Sequence, residues 1–110
     1  MKNNLFALFL FINYNLYPQK IFSTDHSYQS DIKIYVVDYE YQADLKVFKV
    51  KYDYQAKENK GLWYFVKYDY RADKKIYFVD YEYQADLKIF FVNYQYQSGW
   101  KNKEKMHLLY

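Results

Sequence analysis

The chain carries a row of carboxylates whose type and spacing suit catalytic or metal-binding sites. The row consists of Asp25, Asp38, Glu40, Asp53, Asp69, Asp80 and Glu82. Two carboxylates on one strand face offer oxygen ligands to Ca²⁺, and a pair about 5–10 Å apart across a cleft suits glycoside hydrolysis. Lysines interrupt and flank this row, and exposed pairs of opposite charge contribute only about 0–1 kcal/mol each. We therefore interpret the acids as part of a solvent-exposed surface on which rows of opposite charge lie side by side.

Other residues that perform chemistry are few and scattered. The two histidines, His26 and His107, lie near opposite ends of the sequence, whereas a general base needs a positioned partner and a zinc site needs three or four ligands. There is no Gly-x-Ser-x-Gly elbow, no glycine-rich phosphate loop and no cysteine, which removes three further classes of site. The sequence predicts a non-enzymatic protein without a metal site or cofactor.

Tyrosines offer the remaining candidate chemistry, because 17 of the 110 residues are Tyr. Exposed rings stack on sugars, and the second Tyr of each Tyr-x-Tyr pair lies beside a turn where exposure is favoured. The candidates for ligand stacking are Tyr41, Tyr54, Tyr83, Tyr96 and Trp100. We favour a structural role over ligand stacking, in which the tyrosine rows form the core and Trp100 caps it after a turn at Gly99.

A thirteen-residue repeat positions all of these side chains. Its units are 18–30, 31–43, 44–56, 57–72, 73–85 and 86–98, with three extra residues in the fourth. Units two and three match units five and six at 19 of 26 positions, with an offset of 42 residues from Tyr35 to Tyr77. The chain is therefore predicted to be a compact domain of two pseudo-symmetric halves, in which no unit buries its apolar face alone.

Within a unit the apolar pattern has a period of two, which is typical of a β-strand. In the fifth unit Tyr77, Val79, Tyr81 and Tyr83 share one face, and we expect this face to be buried because no other face is apolar enough. Tyr, Phe, Val and Ile favour strands, so the fold class is all-β. Trp63 occupies an isoleucine position of the repeat and is expected in the core.

The N-terminal segment has the composition of a secretory signal peptide, with Lys2 before an apolar run at 5–12. We assign residues 1–19 to the signal peptide and 20–110 to one domain that is secreted or periplasmic and is not inserted in the membrane after cleavage. The net charge of +3 is spread among acids, which is unlike a nucleic-acid-binding protein. The remaining partners to consider are a glycan or a cell-envelope component, and we expect a monomer.

The repeat at 75–86 and the ending at 99–110, which closes with His-Leu-Leu-Tyr, resemble the septoil knot domain family. The resemblance covers about residues 20–110 and implies a β-rich domain whose backbone forms a deep, seven-crossing torus knot. It implies no activity, cofactor or ligand. Segment 99–110 would then be a final strand packed into the body. Without the resemblance, the rarity of knots favours an unknotted β-solenoid.

These observations predict a secreted, highly stable β-repeat domain with a structural or interaction role. A carbohydrate-binding module that uses exposed tyrosines is the alternative. The two interpretations differ in whether the second tyrosines of the Tyr-x-Tyr pairs are exposed.

Overall fold

The computed structural model describes residues 18–110, so most of the predicted signal peptide lies outside the described residues. Seven strands occupy Lys20–Ser23 (β1), Ile32–Val36 (β2), Leu45–Lys49 (β3), Leu62–Phe65 (β4), Lys74–Phe78 (β5), Leu87–Phe91 (β6) and Gly99–Trp100 (β7). Each of the first six is followed by a single turn of 3-10 helix, at Ser27–Gln29 (η1), Glu40–Gln42 (η2), Asp53–Gln55 (η3), Asp69–Arg71 (η4), Glu82–Gln84 (η5) and Gln95–Gln97 (η6), and a longer one, Lys103–Leu109 (η7), ends the chain. None of the helices in this part of the chain is both long and apolar enough to cross a membrane.

The strands form a closed barrel, which confirms the all-β prediction. Six parallel strands follow one another in the order β4-β1-β5-β2-β6-β3, and a further pairing of β3 with β4 closes the ring. Strands from the first three units therefore alternate with strands from the last three. The short β7 adds antiparallel to the start of β3. The sheet closes on itself, unlike the open stack expected of a solenoid.

The interior of the barrel is aliphatic, with one tryptophan. Its fully buried members are Ile21, Ile32, Ile34, Leu45, Val47, Trp63, Ile76, Leu87, Ile89 and Leu109. Barrel width grows with strand number, and eight strands leave just enough room for side chains, so the narrower six-stranded interior is filled by these side chains. Trp63 is fully buried as expected.

The expectation that the tyrosine rows form the core is wrong. Tyr81 and Tyr83 are 60% and 84% exposed, and the equivalent tyrosines of the other units are similarly exposed. The reason is a change of phase at the end of each strand. In the second unit the inward positions are Ile32, Ile34 and then Val37, so the alternation by two breaks before the tyrosines are reached. The chain then bends out of the sheet, and the rings leave with it.

The aspartate that opens most units joins that unit to a neighbouring strand. Asp86 donates its backbone N–H to the carbonyl of Lys33 over 2.8 Å, and its carboxylate accepts the N–H of Lys33 over 2.9 Å. The same two-bond contact recurs in three more pairs: Asp31 with Lys75, Asp44 with Lys88, and Asp73 with Lys20. Because each pair joins different halves of the sequence, these aspartates link the two halves rather than merely forming turns.

The C-terminal segment closes one end of the barrel. The final strand expected at 99–110 is limited to β7, and the segment that follows is the 3-10 helix η7. Leu109 is buried in the core, and its carbonyl accepts a hydrogen bond from the fully buried Gln19 side chain over 3.1 Å. The insertion of unit four lies at 57–61. Within it, the Asn59 side chain donates to the carbonyl of Met106 over 2.8 Å. The insertion is thus anchored to the C-terminal segment.

Candidate functional site

The connections between strands form the outer surface of the barrel. Each of the first six 3-10 helices lies against the strand that its connection passes: η1 on β5, η2 on β6, η3 on β4, η4 on β1, η5 on β2 and η6 on β3. Around the barrel the helices therefore follow the order η3, η4, η1, η5, η2, η6. This ring carries the Tyr-x-Tyr pairs of units two to six and the equivalent His26 and Tyr28 of unit one.

The motif Tyr-x-Tyr-Gln-Ala is a local turn that fixes its own geometry. In the second unit the backbone N–H groups of Gln42 and Ala43 donate to the carbonyls of Tyr39 and Glu40, each over 3.1 Å. The glutamine side chain can add a third bond. Gln55 accepts the N–H of Tyr52 over 3.1 Å, and Gln97 accepts that of Tyr94 over 3.2 Å. The glutamine is thus part of the turn.

The turn stacks the two rings of each pair. In the third unit the ring centroids of Tyr52 and Tyr54 are 5.6 Å apart with planes 7° apart. The same arrangement occurs in every unit, with His26 in place of the first tyrosine of unit one. We call these twelve residues the aromatic belt: His26, Tyr28, Tyr39, Tyr41, Tyr52, Tyr54, Tyr68, Tyr70, Tyr81, Tyr83, Tyr94 and Tyr96.

The structure places four of the five predicted stacking residues together in the belt. Tyr41, Tyr54, Tyr83 and Tyr96 are the central residues of η2, η3, η5 and η6, and each is at least 70% exposed. Trp100 lies elsewhere. Its half-buried ring packs against the core, and Nε1 donates to the carbonyl of Asn59 over 3.0 Å. Tyr28 and Tyr70 belong to the same exposed set, and repeat alignment alone identifies them.

Open grooves separate neighbouring helices of the ring, and two of them are repeats of one another. One groove, of about 360 Å³, is lined by Lys20, Asp53, Tyr64, Val66, Tyr70 and Arg71. The other, of about 460 Å³, is lined by Lys33, Ser27, Tyr77, Val79, Asp80, Tyr83 and Gln84. Apart from Asp80, the members correspond one to one along the repeat. A third groove, of about 570 Å³, lies beside Tyr94 and Tyr96. Each groove therefore joins belt tyrosines to polar side chains.

The acidic row behaves as a charged surface. Glu40 and Glu82 form ion pairs with Lys46 and Lys88, at 3.3 and 3.2 Å, on the strands that follow them. Across residues 18–110 no three acids or histidines come close enough together to hold a metal ion. His26 stacks on Tyr28, and the other histidine, His107, contacts the carbonyl of Glu104 in η7.

Comparison with known proteins agrees with the resemblance in sequence. Searches among curated proteins and among solved structures found no match. A family model does match, and it covers the barrel and β7 while ending before η7. That model is described as the 7(1) septoil knot domain and matches residues 18–101, more than half of the chain, which therefore belongs to the septoil knot domain family.

Proposed function

We propose that this protein is a secreted or periplasmic, non-enzymatic domain with a structural or interaction role. It acts as a monomer and binds its partner through the aromatic belt. The observation that carries the proposal is the exposure of the belt tyrosines, each at least 55% accessible. Exposed apolar surface of this extent is uncommon unless a partner covers it. Tyrosine suits this use because it offers a large ring with a hydroxyl and loses little side-chain entropy on binding.

A variant with the second tyrosine of four pairs replaced tests this proposal. Substituting Tyr41, Tyr54, Tyr83 and Tyr96 by Ser removes the most exposed rings of those pairs and leaves the barrel interior intact. We expect co-sedimentation with purified cell envelopes to be lost while the melting temperature stays within a few degrees of the parent protein. A variant that still sediments as the parent does would contradict the proposal.

Carbohydrate is the ligand class that the grooves favour, as a second and narrower candidate. The two equivalent grooves combine tyrosine rings with lysine and with amide, guanidinium or carboxylate groups. A sugar has an apolar ring face with hydroxyls at its edge, so its binding site needs both apolar and polar groups of this kind. A glycan array tests this directly. Binding that is weakened by Tyr83→Ala and by Tyr70→Ala supports it, whereas an array without hits argues for a protein partner.

Secretion requires that the signal peptide be removed without damage to the barrel. Gln19 is fully buried, its N–H donates to the carbonyl of Ala56 over 2.9 Å, and its side chain bonds to Leu109. We propose that cleavage occurs before Gln19, one residue earlier than the boundary assigned from the sequence, so that this residue stays in the mature chain. Mass spectrometry of protein recovered from the periplasm or medium will give the mature N-terminus. A first residue after Gln19, or retention of the protein in the cytoplasm, would oppose this.

We further propose that the backbone is knotted and that its two halves are related by pseudo-symmetry. Support comes from the strand order, in which the second half threads between the strands of the first, and from helices that lie against the strands they pass. Pulling on the ends of the described chain with optical tweezers tests the knot. The fully unfolded extension should fall short of the contour length expected at about 3.3–3.6 Å per residue, by the length held in the tightened knot. Full extension would exclude a knot.

A further inference from the structure

The two equivalent grooves of the ring differ in charge. Lys20 in one corresponds to Lys33 in the other, and the tyrosines and the valine also correspond. The differences are that Arg71 replaces Gln84 and Asp53 replaces Ser27. In addition, Asp80 of unit five lines the second groove, and the residue at the same repeat position in unit four is Lys67. The lining of the Arg71 groove therefore carries two cations and one acid, whereas the Gln84 groove carries one of each.

Arg71 is the only arginine of the chain, and the turn does not explain its presence. At this position Gln55 and Gln97 accept the N–H of the first tyrosine in their pair. A guanidinium has donors only and cannot make that bond. Arg71 therefore cannot make the contact of Gln55 and Gln97, although the turns at Gln42 and Gln84 also form without it.

The cations of this groove are also free of acidic partners. Among residues 18–110, neither Arg71 nor Lys20 takes part in an ion pair. The backbone N–H of Lys20 bonds to the carboxylate of Asp73 over 3.0 Å, and that of Lys33 bonds to the equivalent Asp86 over 2.9 Å. An aspartate at this position is therefore common to both grooves and does not distinguish their charge. The excess positive charge of the Arg71 groove is left for a ligand.

We propose that the Arg71 groove binds a carboxylate-bearing pyranose, such as a uronic acid residue of an acidic polysaccharide. Arginine binds a carboxylate through two parallel N–H bonds, Lys20 adds a second cation, and the ring of Tyr70 offers a stacking face. Asp53 accepts hydrogen bonds from sugar hydroxyls. The Gln84 groove, with an amide in place of the guanidinium, is the neutral counterpart. This inference rests on the proposed carbohydrate-binding function and names the sugar class for one of its grooves.

Isothermal titration with a galacturonic acid trimer and with the galactose trimer of the same linkage tests the inference. We expect Arg71→Gln to weaken binding of the acidic trimer about tenfold or more, since a hydrogen bond to a charged group contributes about 1.5–3 kcal/mol. Binding of the neutral trimer should not change. Gln84→Arg is the reciprocal variant, and it should strengthen binding of the acidic trimer only.

Each other outcome overturns a defined part of the proposal. If both trimers bind and Arg71→Gln leaves the acidic one unaffected, the inference fails while carbohydrate binding stands. If neither trimer nor any glycan of an array binds, the proposed carbohydrate function fails as well. If a glutamate oligopeptide binds as tightly as the acidic trimer and is equally sensitive to Arg71→Gln, the groove recognises carboxylates without selecting a sugar.

Discussion

At the scale of single residues, the aspartates that open the units have unequal surroundings. Asp86 is exposed and its carboxylate accepts one N–H, from Lys33. Asp44 is buried, and its carboxylate accepts the N–H of Lys88, the side-chain amide of Asn102 at 3.3 Å and the Lys105 ammonium at 3.4 Å. Asp44 therefore ties the C-terminal segment to the barrel as well as joining two strands.

We predict that Asp44→Ala lowers the free energy of unfolding by about 2–3 kcal/mol, because several partly buried donors lose a charged acceptor. Asp86→Ala, which removes one exposed bond, should cost about 0.5–1.5 kcal/mol. Urea denaturation followed by tryptophan fluorescence measures both. Equal losses for the two variants would show that the contacts of Asp44 with Asn102 and Lys105 add no stability.

The location of the core gives a second prediction at the same scale. Ile89 is fully buried, whereas Tyr83 is 84% exposed and stacks on Tyr81. Ile89→Ala should lower the free energy of unfolding by about 2–5 kcal/mol, and Tyr83→Ala by less than about 1 kcal/mol. Denaturant titration of both variants checks this. A larger loss for Tyr83→Ala than for Ile89→Ala would place the tyrosines back in the core.

At the scale of elements, the insertion of unit four is held by the chain around it. Gly61 has φ +88°, and a Cβ built there would run into the backbone carbonyl oxygen of Lys46 on β3. The other described glycine, Gly99, has φ +143°, and a Cβ built there meets nothing within 4 Å. Close packing of backbone on backbone at Gly61 thus allows β4 to pair with β3 and complete the ring.

We expect Gly61→Ala to destabilise the domain more than Gly99→Ala does. Both substitutions introduce backbone strain of about 1–3 kcal/mol, but only Gly61→Ala adds a clash with a backbone atom that cannot move aside. Melting temperatures from circular dichroism provide the measurement. If Gly99→Ala melts at the same temperature as Gly61→Ala or below it, the tight approach of β3 to Gly61 does not limit stability.

At the scale of the whole molecule, η7 closes the barrel although it lies beyond the residues that the family model matches. Leu109 is 1% exposed among the core residues, while His107, two positions earlier, is exposed. The helix therefore presents two apolar side chains to the core, the buried Leu109 and the partly buried Leu108. The ends of the described chain meet there, through the bond from Gln19 to Leu109.

Deletion of 105–110 should destabilise the domain strongly, since it uncovers the core and leaves the Gln19 amide only its longer bond to the Pro18 carbonyl, over 3.3 Å. The point variant Leu109→Ala should cost about 2–5 kcal/mol, and His107→Ala less than about 0.5 kcal/mol. Calorimetry on the three proteins tests this, and an unchanged melting temperature for the deletion would contradict the role assigned to η7.

The sequence by itself was enough for the repeat units, the all-β class, the family and the burial of Trp63, because these depend on composition and on local patterns. It also named Tyr41, Tyr54, Tyr83 and Tyr96 as candidates for exposed rings, and all four are exposed. It misjudged the inward face, since alternation by two was extended through the tyrosines, beyond the end of each strand.

Only the tertiary structure decided which face is the core, what the unit aspartates do and which grooves exist. Ile34 and Val37 face inward across a break in phase, and neither residue carries a local mark of that break. From the sequence, Asp44 is a turn residue. The structure places it beside Lys88, 44 positions away, and the two residues bond to each other. From the sequence, Arg71 is a substitution at a glutamine position of the repeat. The structure places it in one groove with Lys20. The physical reason is common to all three: closing six parallel strands from alternate halves into a ring sets contacts between residues far apart in sequence, and a local pattern holds no record of such contacts.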